Sequence, residues 1–224
     1  MIITIDGPAG SGKSTIAAKL ADKLGAVYLD TGAMYRAVTL AALEGNLSLD
    51  DAAGLADMVK QVRIEFGHDG GGHTVWLDGR DVTAAIRQSK VTEQSHKPAD
   101  LPAVRQLLIE QQRQIAHHAT SGAGQNCLVT EGRDQGTVVF TEAEYKFYLD
   151  ATAQCRARRR WEQLQKMGSH DSYEEILAAQ QKRDQRDMTR EAGALKKAPD
   201  AIVIDTTNMT LEQVIEEIYQ RVAG

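Results

Sequence analysis

Lys13 and Ser14 sit near the end of the stretch Gly7-Pro8-Ala9-Gly10-Ser11-Gly12-Lys13-Ser14-Thr15, which matches the pattern G-x-x-x-x-G-K-[ST]. Each residue type there has a chemical use. Glycines let the backbone fold tightly enough for several N–H groups to face one anion. The N-terminus of a following helix adds partial positive charge. A lysine at this spacing reaches β- and γ-phosphates, and the neighbouring serine hydroxyl ligates Mg²⁺. The loop therefore predicts a site for a nucleoside triphosphate, without saying what the triphosphate is for.

Two further groups of chemically useful residues end apolar runs. Asp30-Thr31-Gly32 follows Ala26-Val27-Tyr28-Leu29, with Tyr35 and Arg36 close behind, and Glu131-Gly132-Arg133-Asp134 follows Cys127-Leu128-Val129-Thr130. A third group is basic: Arg156, Arg158, Arg159 and Arg160, then Arg183, Arg186 and Arg190 around Asp187. Guanidinium groups bind phosphate in bidentate fashion. Arginines beside strand ends in an otherwise acidic chain predict a small polyanionic acceptor. A phosphate monoester has a second pKa near 6, so its oxygen is largely ionised at neutral pH and needs no strong general base. Catalysis then reduces to positioning and charge neutralisation.

The elements that must position these groups follow from periodicity. Ile2-Ile3-Thr4-Ile5 reads as a buried parallel strand before the loop. Ile16, Leu20 and Leu24 mark one face of a helix after it, and Gly25 stops that helix. Residues 26–29 form the second strand, 127–130 the third, 145–149 the fourth and 201–204 the fifth. A helix over about 33–43 follows the second strand, and Ser48 to Asp51 resembles the cap of another running to about 61. Val62-Arg63-Ile64-Glu65-Phe66 and Thr74-Val75-Trp76-Leu77 flank Gly70-Gly71-Gly72 and predict a small antiparallel sheet in an insert over 62–98. Pro102 opens a long helix ending near His117-His118. Ser172-Tyr173-Glu174-Glu175 has capping-box form, and Leu211, Val214, Ile215, Ile218 and Val222 form the stripe of the last helix. Strands alternating with helices predict an α/β fold: a five-stranded parallel sheet in three layers, with the antiparallel insert.

The bulk numbers agree. The 224 residues carry a net charge of −5, with 42% hydrophobic and 25% charged residues. That balance argues against a general nucleic-acid binder, and no apolar run reaches membrane-spanning length. The chain enters a strand at once, with no basic-then-apolar leader, so a cytoplasmic location is expected. The two cysteines, Cys127 and Cys155, lack metal-ligand spacing, and Cys127 is expected to be a buried thiol.

Five stretches, in this order, carry a resemblance. They are Ile5 through Thr15, Leu29-Asp30-Thr31-Gly32-Ala33-Met34-Tyr35-Arg36, Pro102-Ala103-Val104-Arg105, Glu131-Gly132-Arg133-Asp134-Gln135-Gly136-Thr137-Val138-Val139-Phe140, and Arg183-Asp184-Gln185-Arg186-Asp187-Met188-Thr189-Arg190. Over nearly its whole length the chain resembles the bacterial cytidylate kinases (CMP kinases), nucleoside monophosphate kinases of the P-loop class. The resemblance implies transfer of the γ-phosphoryl group of ATP to CMP or dCMP with Mg²⁺, in pyrimidine nucleotide metabolism, by a monomer. It implies a core over 1–35, 100–155 and 171–224, a monophosphate-binding region with the small sheet over about 36–100, and a lid over about 156–170. Lys13, Arg36, Arg133, Asp134 and Arg158 would then be catalytic, Arg158 reaching ATP. Arg36 and Arg133 would hold the acceptor phosphate, bordered by Asp30 and Thr31. Arg183 and Asp187 would address the ribose, and Arg105 and Arg190 the cytosine. Ser14 would ligate Mg²⁺, and Glu131 would act on it through water.

Two departures from the family stand out. His96, with Ser95 beside it, occupies the place nine residues before Arg105 where the family often has a serine that contacts the base, and one of the two is expected to supply that hydrogen bond to CMP. Glu131 stands where aspartate is usual. The rival readings are a P-loop kinase for another acceptor, such as UMP, and a nucleotide-dependent switch. The lack of an N-K-x-D motif speaks against a guanine-specific switch.

Overall fold

The computed structural model describes residues 1–70, 72–122 and 126–223. In chain order it contains β1 (Ile2–Asp6), α1 (Lys13–Leu24), β2 (Val27–Asp30), α2 (Thr31–Glu44) and α3 (Ala52–Gln61). Next come β3 (Ile64–Asp69), β4 (Gly72–Leu77), β5 (Arg80–Asp81), a 3₁₀ turn over Ala85–Arg87, α4 (Ser89–Gln94), α5 (His96–Asp100) and α6 (Pro102–Thr120). The chain finishes with β6 (Leu128–Gly132), a π-helical turn over Gln135–Val139, β7 (Tyr145–Asp150), α7 (Ala153–Lys166), α8 (Tyr173–Thr189), β8 (Ile202–Asp205) and α9 (Leu211–Ala223).

The main sheet has five strands in the order β2-β6-β1-β7-β8, every pair parallel. Parallel strands must be covered on both faces, and two apolar clusters do this. Ile16, Leu20, Val214 and Ile218 of α1 and α9 pack with Ile3, Ile5, Val129 and Phe147 on one face. On the other, Met34 and Val38 of α2 and Val104 and Leu108 of α6 pack with Leu29 and Leu128. Four of the strands run one residue past the apolar run read from sequence, each ending on an acid: Asp6, Asp30, Asp150 and Asp205. Because all five strands are parallel, their carboxyl ends gather along one edge, where ligands of open α/β sheets bind.

The insert is a three-stranded antiparallel sheet, β3-β4-β5. Its hairpin matches the expected one and gains β5, which pairs Leu77 with Arg80. Gly71, at the centre of the expected glycine break, lies outside the described residues. The small sheet has no core of its own. Ile64, Val75, Leu77 and Val82 join the cluster formed by α2 and α6.

Two helix starts differ from expectation. The first turn of α2 begins at Thr31, because the Asp30 carboxylate accepts from Ala33 N at 2.8 Å and so caps it. The cap of α3 is Asp51, not Ser48: Asp51 Oδ1 accepts from Gly54 N at 3.0 Å, while Ser48 Oγ accepts from Asp50 N. Asp and Ser are comparable N-caps, so the spacing to the helix decides.

Candidate active site

The glycine loop joins β1 to α1, as its pattern requires. Gly10 and Gly12 take φ of 77° and 91°, left-handed values that side chains disfavour. Three groups converge on one carbonyl there. Lys13 Nζ donates to Pro8 O at 2.7 Å, Ser11 Oγ donates to it at 3.0 Å, and Ser11 N does so at 3.4 Å. Lys13 is buried, and that burial, reinforced by the positive charges of Arg133 and Arg183, pushes its ammonium down to about 7. A buried cation held only by a carbonyl and a hydroxyl is poised for a polyanion.

Carboxylates surround it. Asp6, at the end of β1, is buried and accepts from Gln135 N at 2.9 Å and Gly136 N at 2.8 Å. It thereby satisfies the first amides of the π-helical turn, although burial raises its carboxyl to about 6. Glu131, near the end of β6, accepts from Ser14 Oγ at 2.8 Å. Burial, and then the Asp30 carboxylate beside it, push the Glu131 carboxyl above its usual range. A serine hydroxyl and a carboxylate in contact at the loop's mouth form a hard-oxygen donor set, which fits Mg²⁺.

Facing the loop are arginines, each held by an aspartate. Arg36 Nη2 pairs with Asp30 at 2.8 Å, and Arg133 Nε with Asp187 at 2.9 Å. Arg105 pairs with the buried Asp134, while Arg190 bridges Asp100 at 2.7 Å and Asp187 at 3.2 Å. Burial alone would raise Asp187, but Arg133, Arg183 and Arg190 outweigh it and hold the carboxyl low. Arg183 itself feels the positive fields of Arg133, Arg186 and Arg36. Among the described residues two arginine donors are left over: Arg36 Nε and Arg186 Nε are buried and make no hydrogen bond. A buried orphan donor at the focus of like charges marks a place for an anion.

The sequence expectations meet the structure unevenly. Lys13, Ser14, Asp30, Arg36, Arg105, Glu131, Arg133, Asp134, Arg183, Asp187 and Arg190 are linked by the contacts and fields just described. Thr31 borders them, but its hydroxyl donates to Glu131 O at 2.8 Å, leaving only its lone pairs for a ligand. His96 turns back toward the preceding helix α4, with Nδ1 2.8 Å from Glu93 O, and Ser95 Oγ donates to Thr92 O at 2.9 Å. Arg158 is exposed.

Two of its neighbours, Arg156 and Arg159, lie against the glycine loop and the cleft beside it. Arg156 is buried, pairs with Asp184 at 2.6 Å and donates to Ala9 O at 2.9 Å, while Asp184 accepts from Ala9 N at 3.3 Å. Helices α7 and α8 are thus fastened to the loop at both polar groups of one residue. Arg159 donates to Thr206 Oγ1 at 3.1 Å and lines a cleft of about 170 Å³ beside Ser11 and Gly12, walled by Met209, Leu211 and Val214. Only helical phase separates 156 and 159 from 158, and a run in which four of five residues are arginine masked that phase. Asp6 was the other residue missed. It had a signal, an acid placed directly before the first loop glycine.

The family model for cytidylate kinase matches residues 3–223 of the chain. A cytidylate kinase of Carboxydothermus hydrogenoformans is 46% identical over 220 residues, covering 98% of this chain and 96% of that protein. One from Caldanaerobacter subterraneus is 43% identical over 220 residues, covering 98% and 93%. One from Nocardia farcinica is 43% identical over 223 residues, covering 100% and 94%.

Proposed function

The chain belongs to the cytidylate kinase family, and from that premise we propose that it transfers the γ-phosphoryl group of ATP to CMP or dCMP, giving ADP and the nucleoside diphosphate. The observation that carries this reading is the set of arginines facing Lys13. Burial and the neighbouring Arg133 charge lower Arg183 to about 10, and Arg36 Nε is buried with no hydrogen-bond partner among the described residues. A switch that only hydrolyses its nucleotide needs no second phosphate site.

ATP occupies the loop from Gly7 to Thr15, with its adenine in the cleft that Arg159 and Met209 line. A guanidinium beside a flat apolar wall suits a purine face. Lys13 leaves the Pro8 carbonyl for the phosphates and regains its full charge. Mg²⁺ would be held by Ser14, with Glu131 acting through water, and would neutralise β- and γ-phosphate charge. Arg36 and Arg133 exchange Asp30 and Asp187 for the acceptor phosphate, and Arg183 steadies it. An oxygen of that phosphate attacks the γ-phosphorus in line. The new P–O bond forms as the bond to the β–γ bridging oxygen breaks, and ADP leaves. Arg105, Asp134 and Arg190 border the nucleoside, and Asp187 faces its ribose. Residues 156–170 act as the lid and about 36–100 as the monophosphate region. Closure excludes water, which would otherwise accept the phosphoryl group.

The same reading takes the enzyme to be a cytoplasmic monomer. No helix among the described residues is long and apolar enough to cross a membrane, and both substrates of the proposed reaction are small and soluble. The test is an acceptor panel: coupled ADP release with Mg-ATP against CMP, dCMP, UMP, AMP and GMP. The reading expects turnover with CMP and dCMP well above the rest. Equal turnover with UMP would leave a kinase and overturn the cytosine assignment, pointing to the His96 region, where Ser95 Oγ donates to Thr92 O.

A further inference from the structure

We propose that Asp22, His68 and His73 form a binding site for one divalent transition-metal ion, Zn²⁺ being the best match, which ties the β3–β4 hairpin to the end of α1. His68 and His73 are directly paired across the hairpin, so their side chains leave the same face of the small sheet. That face meets Asp22, in the last turns of α1. His73 Nε2 lies 3.1 Å and His68 Nε2 3.4 Å from the same oxygen, Asp22 Oδ1. One ligand atom from each of the three residues falls within 4.8 Å of the other two.

These separations suit a metal. Tetrahedral Zn²⁺ with bonds of about 2.0–2.1 Å places its ligand atoms about 3.3 Å apart. Two edges of the triangle already have that length. The third closes by a small rotation of the exposed His68. A second observation points the same way. His73 Nε2 is buried yet makes no hydrogen bond, although a carboxylate oxygen is close by. A buried ring nitrogen 3.1 Å from a carboxylate oxygen but out of line for a hydrogen bond calls for an explanation, and an ion between the three groups would accept its lone pair. The Tyr28 ring, 4.7 Å from that of His73 and edge-on to it, fixes the imidazole's position. Exposure of Asp22 and His68 leaves a path for the ion and room for water at the open coordination position.

Two imidazoles and one carboxylate select zinc, cobalt or nickel over Mg²⁺, which prefers oxygen ligands throughout. The site is separate from the Ser14–Glu131 pair. Asp22 is nine residues along α1 from Lys13, about 13 Å at helical rise.

The experiment uses the full chain, treated with chelator, desalted, and titrated with Co²⁺ in excess Mg²⁺ to saturate the oxygen site. One equivalent per chain should bind saturably, with the visible absorption of nitrogen-ligated Co²⁺, and Zn²⁺ should bleach it. Stoichiometric Zn²⁺ should raise Tm by several degrees. Asp22→Asn, His68→Gln and His73→Gln should each weaken binding by at least about 100-fold, beyond what losing an outer-shell contact costs. The double variant His117→Gln/His118→Gln should bind as wild type does. Far-UV circular dichroism and unchanged kinase turnover verify that each variant is folded. A titration without saturable binding would overturn the site, as would one equivalent that survives in the folded His68→Gln/His73→Gln variant.

Discussion

At the scale of single residues, charge and its counter-charge decide behaviour. Lys13 is lowered to about 7 from an ordinary 10.5. Between those values the folded chain binds fewer protons than the unfolded one, so this group's contribution makes stability rise with pH across that window. Bound phosphates reverse the shift. At pH 8, Mg-ATP binding should therefore take up close to one proton. Isothermal titration in buffers of different ionisation enthalpy measures it, and Lys13→Met should remove the uptake along with most of the transfer. Arg133 offers a second case. Losing its charged hydrogen bonds to the acceptor, each about 1.5–3 kcal/mol, should lower kcat/KM for CMP by about 100-fold in Arg133→Ala. Lysine cannot reproduce the fork, so steady-state kinetics of Arg133→Lys should fall well short of wild type. These side chains were readable in the sequence because each follows a strand end or a glycine loop. Which aspartate holds which arginine was not. Arg133 and Asp187 lie 54 residues apart in the chain, and no local pattern encodes such a pair.

At the scale of elements, α7 and α8 matter more than their composition suggests. The run Arg156 to Arg160 reads as the basic start of a lid, with Arg158 reaching ATP. In the fold, one of its arginines is buried against Asp184 and another closes the cleft beside the loop. The capping box of α8 was legible and is present, with Ser172 and Glu175 bonding each other's backbone amides. Its buried face was not, because Asp184, Asp187 and Gln180 are polar and leave no apolar stripe. Removing Asp184 strands the Arg156 charge in a dry site. Asp184→Ala should therefore cost about 3–5 kcal/mol, read by urea unfolding, as for other broken buried pairs. Asp184→Asn, which keeps an oxygen for Ala9 N, should cost less. The short helices α4 and α5 and the strand β5 gave no periodicity to read, since two to six residues are too few to show one.

At the scale of the whole molecule, five parallel strands bring together residues more than a hundred positions apart. Asp6 lies beside Gly132, and Asp30 beside Glu131. Apolar runs and the alternation with helices predicted the sheet, but strand order follows from packing that no single run contains. The insert was legible as a hairpin, yet its sharing of the main core was not. Because Leu77 and Val75 pack with Val38 and Val104, the chain should unfold in one transition. Leu77→Ala should lower that single midpoint, by about 2–5 kcal/mol in stability, instead of releasing the insert alone. Two transitions by circular dichroism would contradict this.

All three scales bear on the proposed site for two phosphates side by side, one on the glycine loop and one on the arginines. The most direct test is ADP release from Mg-ATP by the wild-type enzyme with and without CMP, with CDP quantified in the same mixture. The account predicts slow release without acceptor, fast release with CMP, and one CDP for each ADP formed. ADP release that is indifferent to CMP, with no CDP produced, would contradict it.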